Sequence, residues 1–269
     1  MAFKEVKIGY PREMGKPEER PLSREEYKEL EDIVGPDYIS EDPDTLDAYC
    51  YATALAVSQR FCPRSSAIIA PASTEEVAAI VKACNRHGVR FKAHSTGWGA
   101  WGVPDTEEKN VLMDLRRMNR IIDIDAKNMM ALVEPYVCWA QLIAEAGKVG
   151  LTPSTIGAGA NTSVLASTTS GWGHGTLSFT AGYNGRNLLG AEWVLPTGEV
   201  VRIGSAGFTD GWFCAEGPGP SLRGAMRGFV ASLGSLGVFT KCAYKLTHLP
   251  LPPMVMEGHE PFYYPVSSL

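Results

Sequence analysis

Apolar residues alternate between strand-like runs and helical spacings in the first half of the chain. Residues 67–71 form an apolar run that ends at a proline, which predicts a buried strand. The next segment opens at Ser73 with the spacing of a capping box and then places apolar residues at helical intervals up to Gly88. Residues 89–93 return to a strand pattern. The sequence therefore predicts a short strand–helix–strand unit.

Two hairpins, one helix and a final strand are predicted further along the chain. Residues 120–125 and 129–134 form one predicted hairpin, and residues 190–203 form another around a Pro-Thr-Gly turn. Between the hairpins, residues 139–149 have the apolar spacing of an amphipathic helix. Residues 237–246 predict a strand whose alternate side chains share one face. These side chains are Val238, Cys242, Tyr244 and Leu246.

The two ends of the chain differ in character from its middle. Residues 1–60 predict an N-terminal arm, with a short helix that opens at a capping box formed by Ser23 and Glu26 and a second helix over residues 45–57. Residues 251–269 are proline-rich and predict an extended tail. This tail is either a docking arm for a partner or a disordered end.

Charge and hydropathy narrow the classes of partner. The formal net charge is −5 and there is no long basic run, which argues against nucleic acid because phosphate contacts need clustered Lys and Arg. No apolar run approaches the roughly 20 residues that span a bilayer. The first residues also lack the apolar core of a signal peptide. A cytoplasmic protein without a membrane span is therefore expected.

The six cysteines are scattered along the chain and form no C-x-x-C pair. Zinc and iron–sulfur sites draw several ligands from short spacings, so neither kind of metal site is predicted. The cysteines are expected to be reduced thiols, most of them buried as small apolar side chains.

Glycine is abundant, with 28 residues, and three glycine-rich segments lie at 94–102, 153–175 and 231–240. The first follows a predicted strand, and its backbone N–H groups together with the hydroxyls of Ser95 and Thr96 could bind a pyrophosphate. A plain turn is an equal alternative, and the segment is neither a G-x-G-x-x-G motif before a helix nor a Walker A loop. The small residues of the second segment would let the main chain pack against a flat aromatic ligand, although a flexible loop has the same composition.

Taken in order, these segments resemble the FAD-binding (PCMH-type) domain of the vanillyl-alcohol oxidase and p-cresol methylhydroxylase superfamily. Within it, they look most like the glycolate oxidase/D-lactate dehydrogenase branch. The resemblance extends from about residue 62 to 250, and its motifs lie at 70–77, 94–102, 110–119, 133–135, 182–198 and 234–240. It implies an α+β fold, not a Rossmann fold, with FAD between two lobes. The expected division is an arm at 1–60, a domain at 61–250 with lobes at about 61–152 and 153–250, and a tail at 251–269.

By this resemblance, three groups of residues are expected to contact FAD. The group at the pyrophosphate contains His94, Ser95, Thr96, Gly97, Trp98 and Gly99. The group along the ribityl chain and flavin contains Pro153, Ser154, Thr155, Ser167, Gly171, Trp172 and Gly173. Main-chain contacts toward the adenine come from Gly182, Tyr183, Gly237 and Val238. The role of His94 stays open. Its side chain either contacts a phosphate or hydrogen-bonds the backbone of the loop.

Two positions bear on how the flavin is attached. Some relatives bind flavin covalently through a His where this chain has Trp98, or through a Cys where it has Thr152. Non-covalent FAD is therefore expected. No catalytic side chain and no metal ligand is assigned.

Members of this branch usually continue into a second domain that carries the substrate-binding and catalytic residues, whereas this chain ends soon after the last predicted strand. The resemblance therefore implies an FAD-binding subunit of a multi-subunit dehydrogenase. Its expected partners are a substrate-domain subunit and an iron–sulfur electron-transfer subunit, and its flavin would accept hydride from a small organic substrate such as a 2-hydroxy acid. The alternatives are an electron-relay flavin subunit without a small substrate, and an interaction module that has lost the flavin.

Overall fold

The computed structural model describes residues 20–50, 64–97, 108–153, 159–171, 178–204, 234 and 236–249, and two β-sheets organise them. The first sheet has four strands in the order β1, β2, β4, β3. Strands β2, β4 and β3 are parallel, and β1 is antiparallel to β2. The elements of this part are α1 (Arg24–Val34), β1 (Ile39–Ser40), α2 (Pro43–Ala48), β2 (Ala67–Ile69), α3 (Thr74–His87), β3 (Arg90–His94) and β4 (Asn110–Asp114), with 3₁₀ turns at Pro36–Tyr38 and Leu115–Arg117.

The second sheet is antiparallel, with strands in the order β5, β6, β10, β8, β9 and with β7 also paired to β10. Both predicted hairpins are confirmed as β5–β6 and β8–β9. The elements of this part are β5 (Ile121–Asp125), β6 (Met130–Val133), α4 (Trp139–Gly147), β7 (Leu151–Pro153), α5 (Val164–Thr169), α6 (Ser178–Ala181), β8 (Leu188–Val194), β9 (Val200–Gly204) and β10 (Val238–His248), with a 3₁₀ turn at Asn184–Asn187.

The predicted strand–helix–strand unit is confirmed as β2, α3 and β3. Helix α3 begins where the Ser73 hydroxyl accepts from the Glu76 N–H, and it ends at Gly88 in the left-handed region. The second half of the predicted capping box is wrong, because the Glu76 carboxylate accepts from the Ala72 N–H at 2.7 Å and does not cap Ser73. The box at Ser23 is complete, since its N–H also donates to Glu26.

The second predicted helix of the N-terminal arm is shorter in its described part than the sequence pattern indicated. Helix α2 spans Pro43–Ala48 and is capped by the Asp42 carboxylate, which accepts from the Thr45 N–H. The expected range of 45–57 extends into residues 51–63, which lie outside the described part of the chain.

Each sheet packs its own apolar core. The first core lies between the sheet and helices α1 and α3 and includes Ile69 and Ile80, and the second includes Trp139 and Tyr244. Full burial of such a side chain contributes about 1.5–3 kcal/mol. The first sheet ends at Asp114 and the second begins at Ile121. Strands β6 and β7 both pair with β10, so the segment between them belongs to the second sheet. The lobe boundary near residue 152 stays a prediction.

Strand β10 contributes side chains to both cores, which corrects the prediction that its alternate side chains from Val238 onward share one face. Val238 packs in the first core, whereas Phe239 and Cys242 pack in the second. The pairing register with β8 shifts between Phe239 and Lys241. A β-bulge inserts one extra residue and reverses the alternation of side chains. The prediction that Val238 shares a face with Cys242 was therefore wrong.

Glu192 on β8 links the two sheets. Its carboxylate is 1% exposed and accepts from the Thr74 hydroxyl at 2.7 Å, at the start of α3. It also accepts from Arg202 Nε at 2.8 Å and from the Thr240 hydroxyl at 3.1 Å. One buried charge is thus shared by α3 and three strands of the second sheet, which is the arrangement that makes a buried carboxylate tolerable.

Helix α5 lies inside the segment whose Gly, Ser and Thr content predicted irregular backbone. The Ser163 hydroxyl caps it by accepting from the Ala166 N–H at 2.9 Å. The hydroxyls of Thr168 and Thr169 donate to the carbonyls of Val164 and Leu165, one turn earlier. Hydroxyl groups that bond within their own helix can be buried there, which composition alone does not predict. Among the described residues, no helix is long and apolar enough to cross a bilayer.

Candidate functional site

The carboxyl ends of β3 and β4 meet at one edge of the first sheet. His94 ends β3, Asp114 ends β4, and the two residues are paired in register. The carboxyl edge of parallel strands is a common ligand site. The predicted phosphate loop begins at this edge, with His94.

Gly97 gives the loop its turn. Its φ is +72°, a conformation that L side chains rarely adopt. The His94 ring folds back over it, so a Cβ at position 97 would lie 2.9 Å from His94 Nε2. The remaining predicted loop residues, Trp98 and Gly99, lie outside the described residues.

Thr96 joins this loop to the second sheet's helix α5. Its Oγ1 accepts from the Ser163 N–H at 3.1 Å. Ser163 is the N-cap of α5, and its hydroxyl donates to the Pro135 carbonyl at 2.6 Å. Two segments 67 residues apart in sequence are therefore in direct contact, and both were predicted to line the same ligand.

Helix α5 carries Ser167, one of the residues predicted along the flavin. The Ser167 hydroxyl donates to the Ser163 carbonyl and accepts from Trp139 Nε1 at 3.2 Å. Gly171 follows the helix, and its N–H donates to the Ala166 carbonyl at 2.6 Å. The Ser167 hydroxyl thus donates its hydrogen bond to a carbonyl of the protein itself. Of the other residues in this group, Ser154, Thr155, Trp172 and Gly173 lie outside the described residues.

Pro153, the remaining member of the flavin group, ends β7. It is buried and pairs with Leu246 of β10. The structure therefore places it inside the second sheet, on the strand that pairs with the end of β10.

Gly182 and Tyr183 precede the 3₁₀ turn at Asn184–Asn187. Gly182 has a φ of +70°, and a Cβ there would lie 2.8 Å from Arg186 Cδ. The Arg186 guanidinium lies 5.8 Å from the centre of the Tyr183 ring. This contact places a cation beside the predicted adenine-side residues.

Gly237 and Val238 contact the end of β8. Gly237 has a φ of +96°, and a Cβ there would clash with the Val194 carbonyl oxygen. Val238 pairs with Val194 and is 1% exposed. A glycine at position 237 is thus required by the fold itself, so its presence is no separate sign of a ligand.

Asn184 is a buried polar residue that the sequence pattern did not single out. It is fully buried, and its Oδ1 accepts from the Tyr244 hydroxyl at 3.0 Å. Its Nδ2 has no hydrogen-bond partner among the described residues. A buried donor without an acceptor costs about 1–3 kcal/mol, so a ligand acceptor at this position would stabilise the protein. Asn184 lies in a polar stretch without periodicity, and nothing in the sequence sets it apart.

A second missed group lies beside His94. The Tyr49 hydroxyl donates to the Asp114 carboxylate, which is 1% exposed, and Arg116 Nε donates to the same oxygen at 2.7 Å. Burial, followed by the bond to Asp114, raises the pKa of Tyr49, so the phenol stays protonated. Tyr49 was placed in the N-terminal arm by sequence, and only the fold brings it to this edge.

The donors of this region suit a dinucleotide. Backbone N–H groups, hydroxyls and the Asn184 amide can donate to the oxygens of a pyrophosphate or a flavin. The turn at Gly97 and the backbone N–H groups beside it therefore fit the pyrophosphate of FAD. In the described part of the chain, no group of three His, Cys, Asp or Glu side chains could hold a metal ion.

Residues 65–204 match the family described as FAD binding domain, and the chain belongs to that family. FAD is its cofactor, as the sequence predicted. The family match covers the carboxyl edge of the first sheet, helix α5 and the β8–β9 hairpin.

Known relatives are longer than this chain. An uncharacterised FAD-linked oxidoreductase of Mycobacterium tuberculosis is 34% identical over 134 residues, which is 50% of this chain and 29% of that protein. The glycolate oxidase subunit GlcD of Bacillus subtilis is 24% identical over 229 residues, 85% of this chain and 46% of that one. The flavoprotein subunit of 4-cresol dehydrogenase (hydroxylating) of Pseudomonas putida is 27% identical over 227 residues, 82% and 42% of the two chains. The chain spans less than half the length of each.

Solved structures share the fold. An alkyldihydroxyacetonephosphate synthase superimposes with a TM-score of 0.70 at 21% identity, covering 86% of this chain and 41% of that one. A p-cresol methylhydroxylase with substrate bound gives a TM-score of 0.66 at 24% identity, covering 85% and 45%. The predicted α+β PCMH-type fold, distinct from a Rossmann fold, is confirmed.

Proposed function

We propose that this chain is the FAD-binding subunit of a multi-subunit flavin-dependent dehydrogenase. It accepts hydride from a small organic substrate, a 2-hydroxy acid, and passes electrons to a partner subunit. The observation that carries the proposal is the hydrogen bond from the Ser163 N–H to Thr96, which joins the phosphate loop to α5. A ligand that touched both segments would lie where the two sheets meet.

The proposed site holds the pyrophosphate on His94, Ser95, Thr96 and Gly97. These residues follow β3 at the carboxyl edge of the first sheet, and the positive φ of Gly97 turns the chain there. Successive N–H groups in such a turn favour an anion. The Thr96 bond to Ser163 fixes the loop before the ligand arrives, which lowers the entropy lost on binding.

The flavin and adenine would contact the other two predicted groups. Helix α5 is held against Trp139 through Ser167, so it offers a rigid wall. The Asn184 amide adds a buried donor that a ligand oxygen or nitrogen could satisfy. The residues of these groups that lie outside the described part, Ser154, Thr155, Trp172 and Gly173, belong to the proposal on the strength of their motifs.

FAD, when bound, supplies the hydride and electron chemistry. The contribution of this chain is to bind and orient the cofactor, and the proposal assigns no catalytic side chain to it. The flavin is held without a covalent bond, because Thr152 stands at one attachment position and Trp98 at the other, and neither side chain is a ready nucleophile.

The names of the relatives support the subunit and substrate parts of the proposal. One relative is a subunit of a glycolate oxidase, another is a flavoprotein subunit, and a D-lactate dehydrogenase of Anaerostipes hadrus is 28% identical over 189 residues. Glycolate and D-lactate are both 2-hydroxy acids. A subunit that carries a substrate domain and an iron–sulfur electron-transfer subunit are the proposed partners.

Cofactor binding is tested first with the isolated chain. Thr96→Val removes the acceptor for the buried Ser163 N–H and is expected to weaken FAD binding by up to about 150-fold. Such a lost bond costs about 1–3 kcal/mol, and the flavin-free chain bears part of that cost as well. Thr197→Val is the matched control, because that hydroxyl bonds Glu199 in an exposed turn. Equal affinity in both variants would contradict the proposed site. Acid-denatured protein should release all its flavin and retain the mass of the bare chain.

The dehydrogenase activity is tested with the complex purified from the source organism. Native mass spectrometry should show this chain with bound FAD and companion chains. Anaerobic addition of 2-hydroxy acids should bleach the flavin absorbance of that complex. Reduction only by a nicotinamide or protein donor would contradict the substrate proposal and favour an electron-relay subunit.

A further inference from the structure

Tyr49 touches the phosphate loop from outside the part of the chain that matches the family. The match begins at residue 65, whereas Tyr49 closes α2 in the N-terminal arm. Its ring contacts the His94 ring edge-on, with the ring centres 5.4 Å apart and an angle of 75° between the planes. The arm therefore contributes a side chain to the proposed cofactor site.

The Tyr49 ring is fixed in place by two polar contacts. Its hydroxyl donates to the buried Asp114 carboxylate and accepts from the Arg116 guanidinium at 2.5 Å. The Asp114 carboxylate also accepts from the Arg116 N–H at 2.9 Å, at the start of the 3₁₀ turn that follows β4. A rotation of the Tyr49 ring away from His94 would break both hydroxyl bonds.

The His94 ring contacts Tyr49 and lies close to Gly97. The Tyr49 ring packs edge-on against it, and a Cβ at position 97 would lie 2.9 Å from His94 Nε2. His94 and Asp114 are paired in register, so the anchor of Tyr49 and the start of the loop belong to adjacent strands. The position of the His94 ring and the turn at Gly97 are therefore linked through a rigid part of the sheet.

We propose that Tyr49 is a positioning residue for FAD. It keeps the His94 ring beside Gly97, so that the loop already has the shape that receives the pyrophosphate. The inference rests on the proposed function only in that residues 94–97 are taken to contact FAD. An edge-on ring pair of this kind is strong enough to change an affinity about two- to ten-fold.

The test measures FAD affinity by titrating the flavin-free chain and following flavin fluorescence. Tyr49→Leu removes the ring and is expected to raise the Kd for FAD about two- to ten-fold. Tyr49→Phe keeps the ring but loses both hydroxyl bonds that hold it, so its Kd for FAD should lie between those of the wild type and Tyr49→Leu. Tyr38→Leu is the matched control in the same arm, because the Tyr38 ring stacks on Arg117, and it should leave the Kd unchanged.

A double-mutant cycle with His94→Ala shows whether Tyr49 acts through His94. In the His94→Ala background, Tyr49→Leu should cause no further loss of affinity. If Tyr49 had only a structural role, the second substitution would still lower the affinity in that background. Equal losses in both backgrounds, or no loss in either, would overturn the inference. A wild-type chain that binds no FAD would overturn the proposed site as well, so the two failures are distinguishable.

Discussion

Gly237 lies where the chain enters β10, and its close approach to β8 makes it sensitive to replacement. A Cβ at this position would overlap the Val194 carbonyl oxygen, and it would lie 3.0 Å from Trp193 Nε1 and 3.1 Å from the Leu195 carbonyl carbon. Two of these neighbours are backbone atoms at the end of β8, the strand with which β10 pairs. The clash therefore cannot be relieved by a side-chain rotation.

Two costs add in the Gly237→Ala variant. The φ of +96° is unfavourable for an L side chain, at about 1–2 kcal/mol. Relief of the overlap requires a shift of β8 or β10, and forced repacking of this kind costs about 1–3 kcal/mol. The free energy of unfolding should therefore fall by about 2–5 kcal/mol. Urea denaturation of the flavin-free protein, followed by tryptophan fluorescence, measures this loss.

Gly88→Ala is the matched comparison. Gly88 also has a positive φ, of +65°, but a Cβ added there would meet no atom within 4 Å. The free energy of unfolding of this variant should fall only by the cost of the positive φ, about 1–2 kcal/mol. Equal losses in the two variants would refute the argument from close approach. A Gly237→Ala protein with unchanged stability but impaired FAD binding would show that Gly237 acts as a cofactor contact.

Three further outcomes are expected. Glu192→Gln should lower the free energy of unfolding by about 1–3 kcal/mol in urea denaturation, because a buried acceptor for Thr74 and Arg202 loses its charge; an unchanged value would contradict the role of Glu192 between the sheets. Burial alone would raise the pKa of Glu192, but the bonds from Thr74 and Arg202 and the nearby Lys241 ammonium together outweigh it and lower the pKa below its usual value of 4.5. The stability difference between wild type and Glu192→Gln should therefore be full above pH 4.5 and shrink as the pH falls through the lower folded value; a difference that grew in acid would have the wrong sign. Burial raises the pKa of Cys84 and of Cys242 to about 12, so a thiol reagent near neutral pH should label neither until the chain is unfolded, as peptide mapping would show.

The sequence by itself determined the local elements whose signals are strong. Helix α3 was predicted from its Ser73 cap, its apolar spacing and the Gly88 stop, because each signal acts within a few residues. The two hairpins followed from alternating patterns around short turns. The glycine-rich motifs, in their order, also identified the family and its cofactor.

The tertiary structure decided which of these elements meet. The hydrogen bond between Thr96 and Ser163 spans 67 residues, and the one between Tyr49 and Asp114 spans 65. Neither contact leaves a signal in the sequence pattern, because the spacing of apolar and polar residues around each partner does not depend on it. The bulge that turns Val238 into the first core is likewise set by how β10 pairs with β8. Hydrophobic period and turn chemistry act between near neighbours, whereas the geometry of the proposed cofactor site depends on how the elements of the two sheets pack together.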